Sequence, residues 1–172
     1  MNKYNLKITI KQPEEMINLG YILAGYCYPN LVIALTGDLG AGKTTFTKGI
    51  GKILGIKKII NSPTFVIMKN YECENKINGI DKLFHLDVYR LSDAKSDFEL
   101  EEYFELDGLT IIEWADIINE ILPSNLWKMN ISDLGSNKRM VSLDFEVAED
   151  NYKNLLNELK GENYEIIYWF FN

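Results

Sequence analysis

The chain predicts an α/β fold, a central sheet flanked by helices, and three observations carry that expectation. Leu31-Val32-Ile33-Ala34-Leu35 and Leu109-Thr110-Ile111-Ile112 are short, nearly continuous apolar runs, the pattern of strands buried on both faces. A glycine-rich loop follows the first run and opens an amphipathic helix. Segments towards both ends alternate apolar and polar residues, as half-buried strands do. With 172 residues, 47% of them apolar, a single packed domain spanning residues 1–172 is expected and disorder is not.

Residues 5–10 set Leu6, Ile8 and Ile10 against Asn5, Lys7 and Thr9, which predicts a half-buried strand. Pro13 suits the first turn of a helix, and Glu14 and Glu15 favour its positive end. That helix runs to about Tyr26 and buries Ile17, Ile22 and Leu23. After the 31–35 strand, residues 45–54 read as a helix with Phe46, Ile50, Ile53 and Leu54 on one face and Gly55 at its C-terminal cap. Pro63 drives Ser62 out of the helical region, so 59–65 is an extended loop. Residues 64–71 alternate like a strand, Asn78-Gly79 reads as a hairpin turn, and 83–89 is the returning strand. That strand places His85, Asp87 and Tyr89 on one face and Phe84, Leu86 and Val88 on the other.

Residues 96–104 suggest a short acidic helix capped by Ser96 with Glu99 three residues on. Residues 116–122 make a helical turn or two before Pro123. Two alternating strands, 126–132 and 139–145, are joined by Gly135-Ser136-Asn137 into a closing antiparallel hairpin. Residues 149–159 read as a helix. The aromatic stretch 164–171 either packs on the sheet, the reading adopted, or forms an exposed patch for a partner.

Gly37-Asp38-Leu39-Gly40-Ala41-Gly42-Lys43-Thr44 fits G-x-x-x-x-G-K-[ST], the phosphate-binding loop of P-loop NTPases, and stands between a buried strand and a helix as that motif requires. Its three glycines let backbone N–H groups approach phosphate oxygens. Lys43 reaches the β- and γ-phosphates of ATP, Thr44 ligates Mg²⁺, and the helix start through Thr45 adds free N–H donors. A second anchor for Mg²⁺ is needed. Glu113 ends the 109–112 strand at the edge of the sheet where ligands bind, which makes it the metal and catalytic candidate. Asp87 is the next acid: near a γ-phosphate it orients water or holds metal through water, and otherwise it pairs with Arg90. His85, the lone histidine, reads as a packed or hydrogen-bonding side chain, with direct catalysis as the alternative.

The rest of the composition excludes several classes. The formal net charge of −7, with the basic residues scattered apart from Lys57-Lys58, disfavours direct nucleic-acid binding and leaves room for a basic partner protein. Cys27 and Cys73 imply no disulfide framework and read as free thiols. No apolar stretch approaches bilayer-spanning length, and residues 1–5 lack the pattern of a signal peptide, so a cytoplasmic location is expected with no membrane partner. Asn75-Lys76-Ile77-Asn78 lacks the Asp of a guanine-specificity motif and precedes the Glu113 strand, so adenine is favoured over guanine. A small-molecule kinase would need arginines on a lid, and only Arg90 and Arg139 are present.

Four blocks together resemble the TsaE family, bacterial P-loop ATPases required for threonylcarbamoyladenosine modification of tRNA. They are the 37–45 loop, Ser62-Pro63-Thr64-Phe65, His85-Leu86-Asp87-Val88-Tyr89-Arg90-Leu91 and Ile112-Glu113-Trp114, and the likeness covers about residues 5–145. The resemblance implies a P-loop fold with a mostly parallel central sheet and antiparallel strands at its margins. It implies ATP and ADP as ligands with Mg²⁺ held by Thr44 and Glu113, and catalytic roles for Lys43, Asp87 and Glu113. It also makes Ser62, Pro63, Thr64 and the segment with His85 and Asp87 switch elements that feel the γ-phosphate, with Trp114 beside them as a reporter. The implied partners are TsaD-like and TsaB-like proteins that hold the tRNA, so tRNA is met only indirectly and DNA not at all. Two positions depart from the family pattern: Ala115-Asp116 stands where Pro or Gly and then Glu is usual, and Met16 stands where Thr is common. The segment after about residue 150 extends beyond the family core.

Overall fold

The computed structural model describes residues 1–92 and 100–170. Its strands are β1 (Asn2–Ile10), β2 (Val32–Thr36), β3 (Met68–Glu72), β4 (Lys82–Asp87), β5 (Leu109–Glu113), β6 (Trp127–Gly135), β7 (Lys138–Val147) and β8 (Glu165–Phe170). Its α-helices are α1 (Pro13–Ala24), α2 (Lys43–Ile53) and α3 (Glu149–Gly161). Among the described residues the strands form one eight-stranded sheet in the order β3-β4-β5-β2-β6-β7-β1-β8.

The expectation of a mostly parallel sheet needs correcting. Three pairings are parallel, β4–β5, β5–β2 and β2–β6, and four are antiparallel, so the sheet is evenly mixed. The reason lies in the connections. Parallel neighbours need a long crossover, as between β4 and β5, which 21 residues (88–108) separate in sequence, whereas Gly135-Ser136-Asn137 is short enough only for an antiparallel return. Likewise β8 comes back from α3 to run antiparallel to β1, with Leu6 opposite Tyr168. Residues 165–170 of the aromatic stretch join the sheet as its last strand, with Ile167 53% exposed, and the side chains of 168–171 lie outside the described ones.

The helices α1, α2 and α3 lie over one face of the sheet, on a core that runs from Leu6 and Ile8 of β1 through Ile33 and Leu35 of β2 to Val141 and Leu143 of β7. A second, smaller core covers the opposite face of β2, β4 and β5, and the turns at Leu100–Phe104 and Ala115–Ile118 close it. Consequently β2, β4 and β5 are buried on both faces, while β1 alternates as its sequence predicts.

α1 starts at Pro13 and buries Leu23 as expected, but its buried face is rotated from the rest of the expectation. Met16, Leu19, Gly20 and Leu23 are buried, and Ile17 and Ile22 are only half-buried. Close backbone contact with α2 sets this rotation: a Cβ on Gly49 would come within 1.9 Å of the Ile17 carbonyl oxygen, and one on Gly20 within 2.2 Å of the Phe46 carbonyl oxygen. Glycine at both positions lets the two helices touch main chain to main chain. On α2, Phe46 and Ile50 are buried with Leu54 beyond its end, and Ile53 is half-buried.

Three further expectations change. Residues 64–67 are a turn and not the start of a strand: the Val66 and Ile67 amides return to the Pro63 carbonyl at 2.9 and 2.8 Å, and β3 begins only at Met68. Asn78-Gly79 does form a tight turn, closed by Ile80 N–H to the Ile77 carbonyl at 2.9 Å, yet the flanking strands stop at Glu72 and restart at Lys82. The Asn78 side chain explains the longer loop, because its amide donates to the Gly25 and Cys27 carbonyls at 2.9 and 2.8 Å and ties the loop to the end of α1. The strand expected over 83–89 ends at Asp87, and Tyr89 opens a 3-10 turn. The acidic helix expected over 96–104 lies partly outside the described residues; Leu100–Phe104 is a 3-10 turn.

The segment after 150 completes the margin of the sheet. Tyr152, Leu155, Leu156 and Leu159 of α3 are buried, and Tyr152 stacks on Tyr4 of β1 with ring centroids 3.7 Å apart. The Tyr164 hydroxyl donates to the Glu15 carbonyl at 2.7 Å.

Candidate functional site

The glycine-rich loop joins the C-terminal end of β2 to the first turn of α2. Gly37 has φ +135°, and a Cβ there would lie 2.3 Å from the Ile131 carbonyl oxygen, so no other residue fits where the loop leaves the sheet. Gly42 precedes α2 in a left-handed conformation, and its carbonyl accepts from the Phe46 amide at 2.9 Å. Helix geometry leaves the amides of the first turn, including Lys43, Thr44 and Thr45, without intrahelical partners, facing the loop's hollow with the positive end of the helix behind them.

A cavity of about 310 Å³ opens beneath this loop. Leu39, Gly40, Ala41, Gly42, Lys43, Thr44 and Thr45 form one wall; Ser62, Thr64, Asp87, Tyr89, Glu113 and Trp114 form the other. Asp38 and Gly37 lie at the loop's base, where their carbonyls accept from the Lys43 ammonium at 2.9 and 2.6 Å. The same ammonium sits 3.8 Å from the centroid of the Trp114 ring. Burial lowers the Lys43 pKa below the ordinary lysine value, and Glu113, Asp87, Asp116 and Asp38 offset part of that.

Glu113 and Asp87 are register partners on the parallel strands β5 and β4, so both carboxylates emerge side by side at the C-terminal edge. Glu113 Oε1 accepts from the Thr44 hydroxyl at 2.7 Å and meets His85 Nε2 at 2.8 Å. His85 and Glu113 are buried, at 0% and 3% exposure, and Thr44 is half-buried. His85 is thus a packed, hydrogen-bonding residue braced against Glu113. Its Nδ1 has no partner among the described residues.

Asp87 is equally committed. Its Oδ2 accepts from the Ser62 and Thr64 hydroxyls, the latter at 2.7 Å, and its Oδ1 accepts from the Tyr89 amide at 3.1 Å. Ser62 and Thr64 are also 2.6 Å from each other. Pro63 between them caps the 63–67 turn. The reading of Asp87 as a partner of Arg90 is not what the structure shows: Arg90 lies over the Phe65 ring, 4.3 Å from its centroid. Trp114 follows Glu113 with φ +62° and packs on Tyr89 with centroids 4.8 Å apart.

The donor set fits a polyphosphate with Mg²⁺. Amide donors and a lysine face the place an anion would take, and a threonine hydroxyl stands hydrogen-bonded to a carboxylate. Among the described residues no group of three or more His, Cys, Asp and Glu forms a cage for a metal, so a metal here would draw its remaining ligands from phosphate and water.

Of the positions expected from the sequence, Leu39 to Thr45, Ser62, Thr64, Asp87, Glu113 and Trp114 line the cavity, while Gly37, Asp38, Pro63 and His85 do not and support residues that do. Sequence reasoning missed Tyr89 as part of the wall, although it lies in a block already singled out. It also missed Arg139. That side chain lines a hollow of about 110 Å³ on the other side of the loop with Pro13, Met16, Gly42 and Thr45. The β6–β7 hairpin returns Arg139 to the loop from a distant part of the chain, and no local pattern announces it. Met16 is 2% exposed and packs against Gly42, while Ala115 is buried in the second core.

Fold and site together define a mixed α/β protein with a glycine-rich loop facing two acidic strand ends. Residues 10–141 match the family model for the threonylcarbamoyl adenosine biosynthesis protein TsaE. The tRNA threonylcarbamoyladenosine biosynthesis protein TsaE of Bacillus subtilis is 41% identical over 154 residues, covering 90% of this chain and 93% of its own. The protein of that name in Rickettsia conorii is 35% identical over 150 residues, covering 86% of this chain and 83% of its own. The crystal structure of YdiB from Bacillus subtilis superposes with a TM-score of 0.70 at 34% identity, covering 92% of this chain and 96% of that one. This chain belongs to the TsaE family.

Proposed function

We propose that the protein binds ATP with Mg²⁺ in the cavity beneath the 37–45 loop and hydrolyses it slowly alone and faster with partners. The turnover serves threonylcarbamoylation of the adenosine beside the anticodon of tRNA, in company with TsaD-like and TsaB-like proteins. The observation that carries this reading is the convergence of Lys43, Thr44, Glu113 and Asp87 on one cavity in a chain of the TsaE family. Lys43 would leave the Gly37 and Asp38 carbonyls for the β- and γ-phosphates. Thr44 and Glu113 would hold Mg²⁺, which supplies charge neutralisation on the phosphates. His85 keeps the Glu113 carboxylate pointed at the cavity. Asp87 would orient water once Ser62 and Thr64 release it.

Slow intrinsic turnover follows from this arrangement. Both acids are engaged by the protein's own donors, and among the described residues no arginine lines the cavity. A partner that orders the 62–67 segment or supplies an arginine would lift both restraints. The net charge of −7 suits a protein that leaves tRNA to its partners. Among the described residues no helix is long and apolar enough to cross a membrane, and we place the activity in the cytoplasm.

The same engaged acids favour a second reading, a scaffold gated by nucleotide without turnover. Phosphate release measured with and without the partner pair separates the two. Partner-stimulated release that Asp87→Ala abolishes while ATP still binds is the expected result. Absence of release under every condition would leave only the scaffold.

A further inference from the structure

The sheet ends at β3, whose outer side no described strand covers. Its register with β4 decides which backbone groups are free. The Asp87 amide bonds to the Ile67 carbonyl and the Cys73 amide to the Asp81 carbonyl, and Met68 lies opposite Leu86. Hydrogen-bonded pairs alternate in an antiparallel ladder, so Lys69 and Tyr71 face β4 with their N–H and C=O groups. Asn70 and Glu72 therefore turn theirs outward.

Neither a proline nor a bulge interrupts this edge, and charge alone, on Lys58, Lys69 and Glu72, guards it. Exposed edges are ordinarily blunted by proline, bulges or charge. Here a groove of about 540 Å³ runs beside β3, lined by Lys58, Ile59, Val66, Met68, Lys69 and Tyr71 among others. Ile59 is 85% and Val66 59% exposed, and Phe65 beside them is 82% exposed. In a chain of net charge −7 this groove carries two lysines and no acid, and among the described residues no carboxylate pairs with either lysine. Exposed aliphatic side chains, free ladder groups and local positive charge occur together.

We propose that the outer edge of β3 and its groove are the docking site for an extended segment of a partner protein. That segment adds to the sheet as a further strand, placing an apolar side chain on Ile59 and Val66 and carboxylates near Lys58 and Lys69. Backbone bonds to Asn70 and Glu72 supply the register, and the groove supplies selectivity. The site is coupled to the nucleotide cavity by position. Val66 belongs to the turn that follows Ser62-Pro63-Thr64, whose hydroxyls hold Asp87. Seating a strand against that turn fixes where those hydroxyls stand.

The inference rests on the partner reading given above, and its test keeps the two apart. Asn70→Pro removes one outward N–H and leaves the bonds to β4 intact, a substitution that edge strands accept. Ile59→Asp puts a charge in the groove. Affinity for the pair of TsaD-like and TsaB-like proteins is measured for wild type and both variants, with ATP affinity measured on each protein alone. Each variant is expected to lose about tenfold or more in partner affinity, with ATP affinity kept within about twofold. Amide exchange in the wild-type protein gives a readout that does not depend on any variant folding: the Asn70 and Glu72 amides should exchange fast alone and slowly in the complex. Wild-type partner affinity in either variant, or unchanged exchange at those amides, overturns strand addition at β3. Failure of the wild-type protein to bind the pair at all, with ATP binding intact, overturns the partner reading and this docking site with it.

Discussion

The strands β2, β4 and β5 and the strands β1, β6 and β7 belong to one sheet, yet they handle polar residues in opposite ways. In β1 and β7 polar side chains alternate out to solvent, as Lys7 and Asp144 do, and the apolar ones face the helices. In β4 and β5 there is no solvent face, and His85, Asp87, Thr110 and Glu113 are all buried. A buried polar group must find a partner or cost free energy. Glu113 finds Thr44 and His85 Nε2, and Asp87 finds the loop residues Ser62 and Thr64. The difference teaches that the doubly covered half concentrates chemistry because it has nowhere else to put polarity, while the singly covered half supplies stability.

The largest expected effect tests the stabilising half. Leu143 of β7 is fully buried between Leu6 and Met129 on the neighbouring strands. Leu143→Ala should cost about 2–5 kcal/mol in denaturant unfolding, with ATP affinity unchanged in the folded protein. A matching loss of ATP affinity would break the division between the halves.

Lys43→Ala should do the reverse. ATP affinity falls by about 1.5–3 kcal/mol, more than tenfold, on loss of one charge-assisted contact. Unfolding should show no comparable loss, because the buried ammonium gives up water on folding. Calorimetric titration checks the first part, and equal affinity would remove the loop from nucleotide binding.

A smaller effect concerns pH. Burial depresses the folded-state pKa of Lys43, so in alkaline solution the unfolded chain holds that proton more tightly than the folded one. The cost of burying the charge is in full force below the depressed pKa. It is relieved as pH rises through that pKa towards the ordinary lysine value. Lys43→Met should accordingly gain stability over wild type near neutral pH, with the gap narrowing as pH rises. A gap that widens with pH would contradict the direction of the shift.

The smallest signal is optical. Trp114 stacks on the Lys43 ammonium, which under the proposed function would move to meet phosphate, so its emission should change with nucleotide. Trp127 is buried on β6 and donates to the Glu146 carbonyl at 3.3 Å, and it should stay silent. With Trp127 and Trp169 replaced by Phe, a flat ATP titration would separate Trp114 from the site.

Local pattern encoded much of this protein. The apolar run before Gly37, the glycine spacing and the helical face of Phe46 and Ile50 specify strand, loop and helix, because period and backbone freedom are properties of neighbouring residues. Glu113 was legible for the same reason, as an acid closing a buried strand. Other features answer only to tertiary structure. Phe65 and Val66 carry the composition of a strand, but Pro63 and the positive φ of Ile67 fold them into a turn. The half-and-half mixture of parallel and antiparallel pairs depends on which distant strands meet. So does the arrival of Arg139 beside the loop, and so does the pairing of Ser62 and Thr64 with Asp87. Each of these is decided by register between segments far apart in the chain. A residue's own neighbours constrain its conformation, but only the closed sheet determines whom it faces.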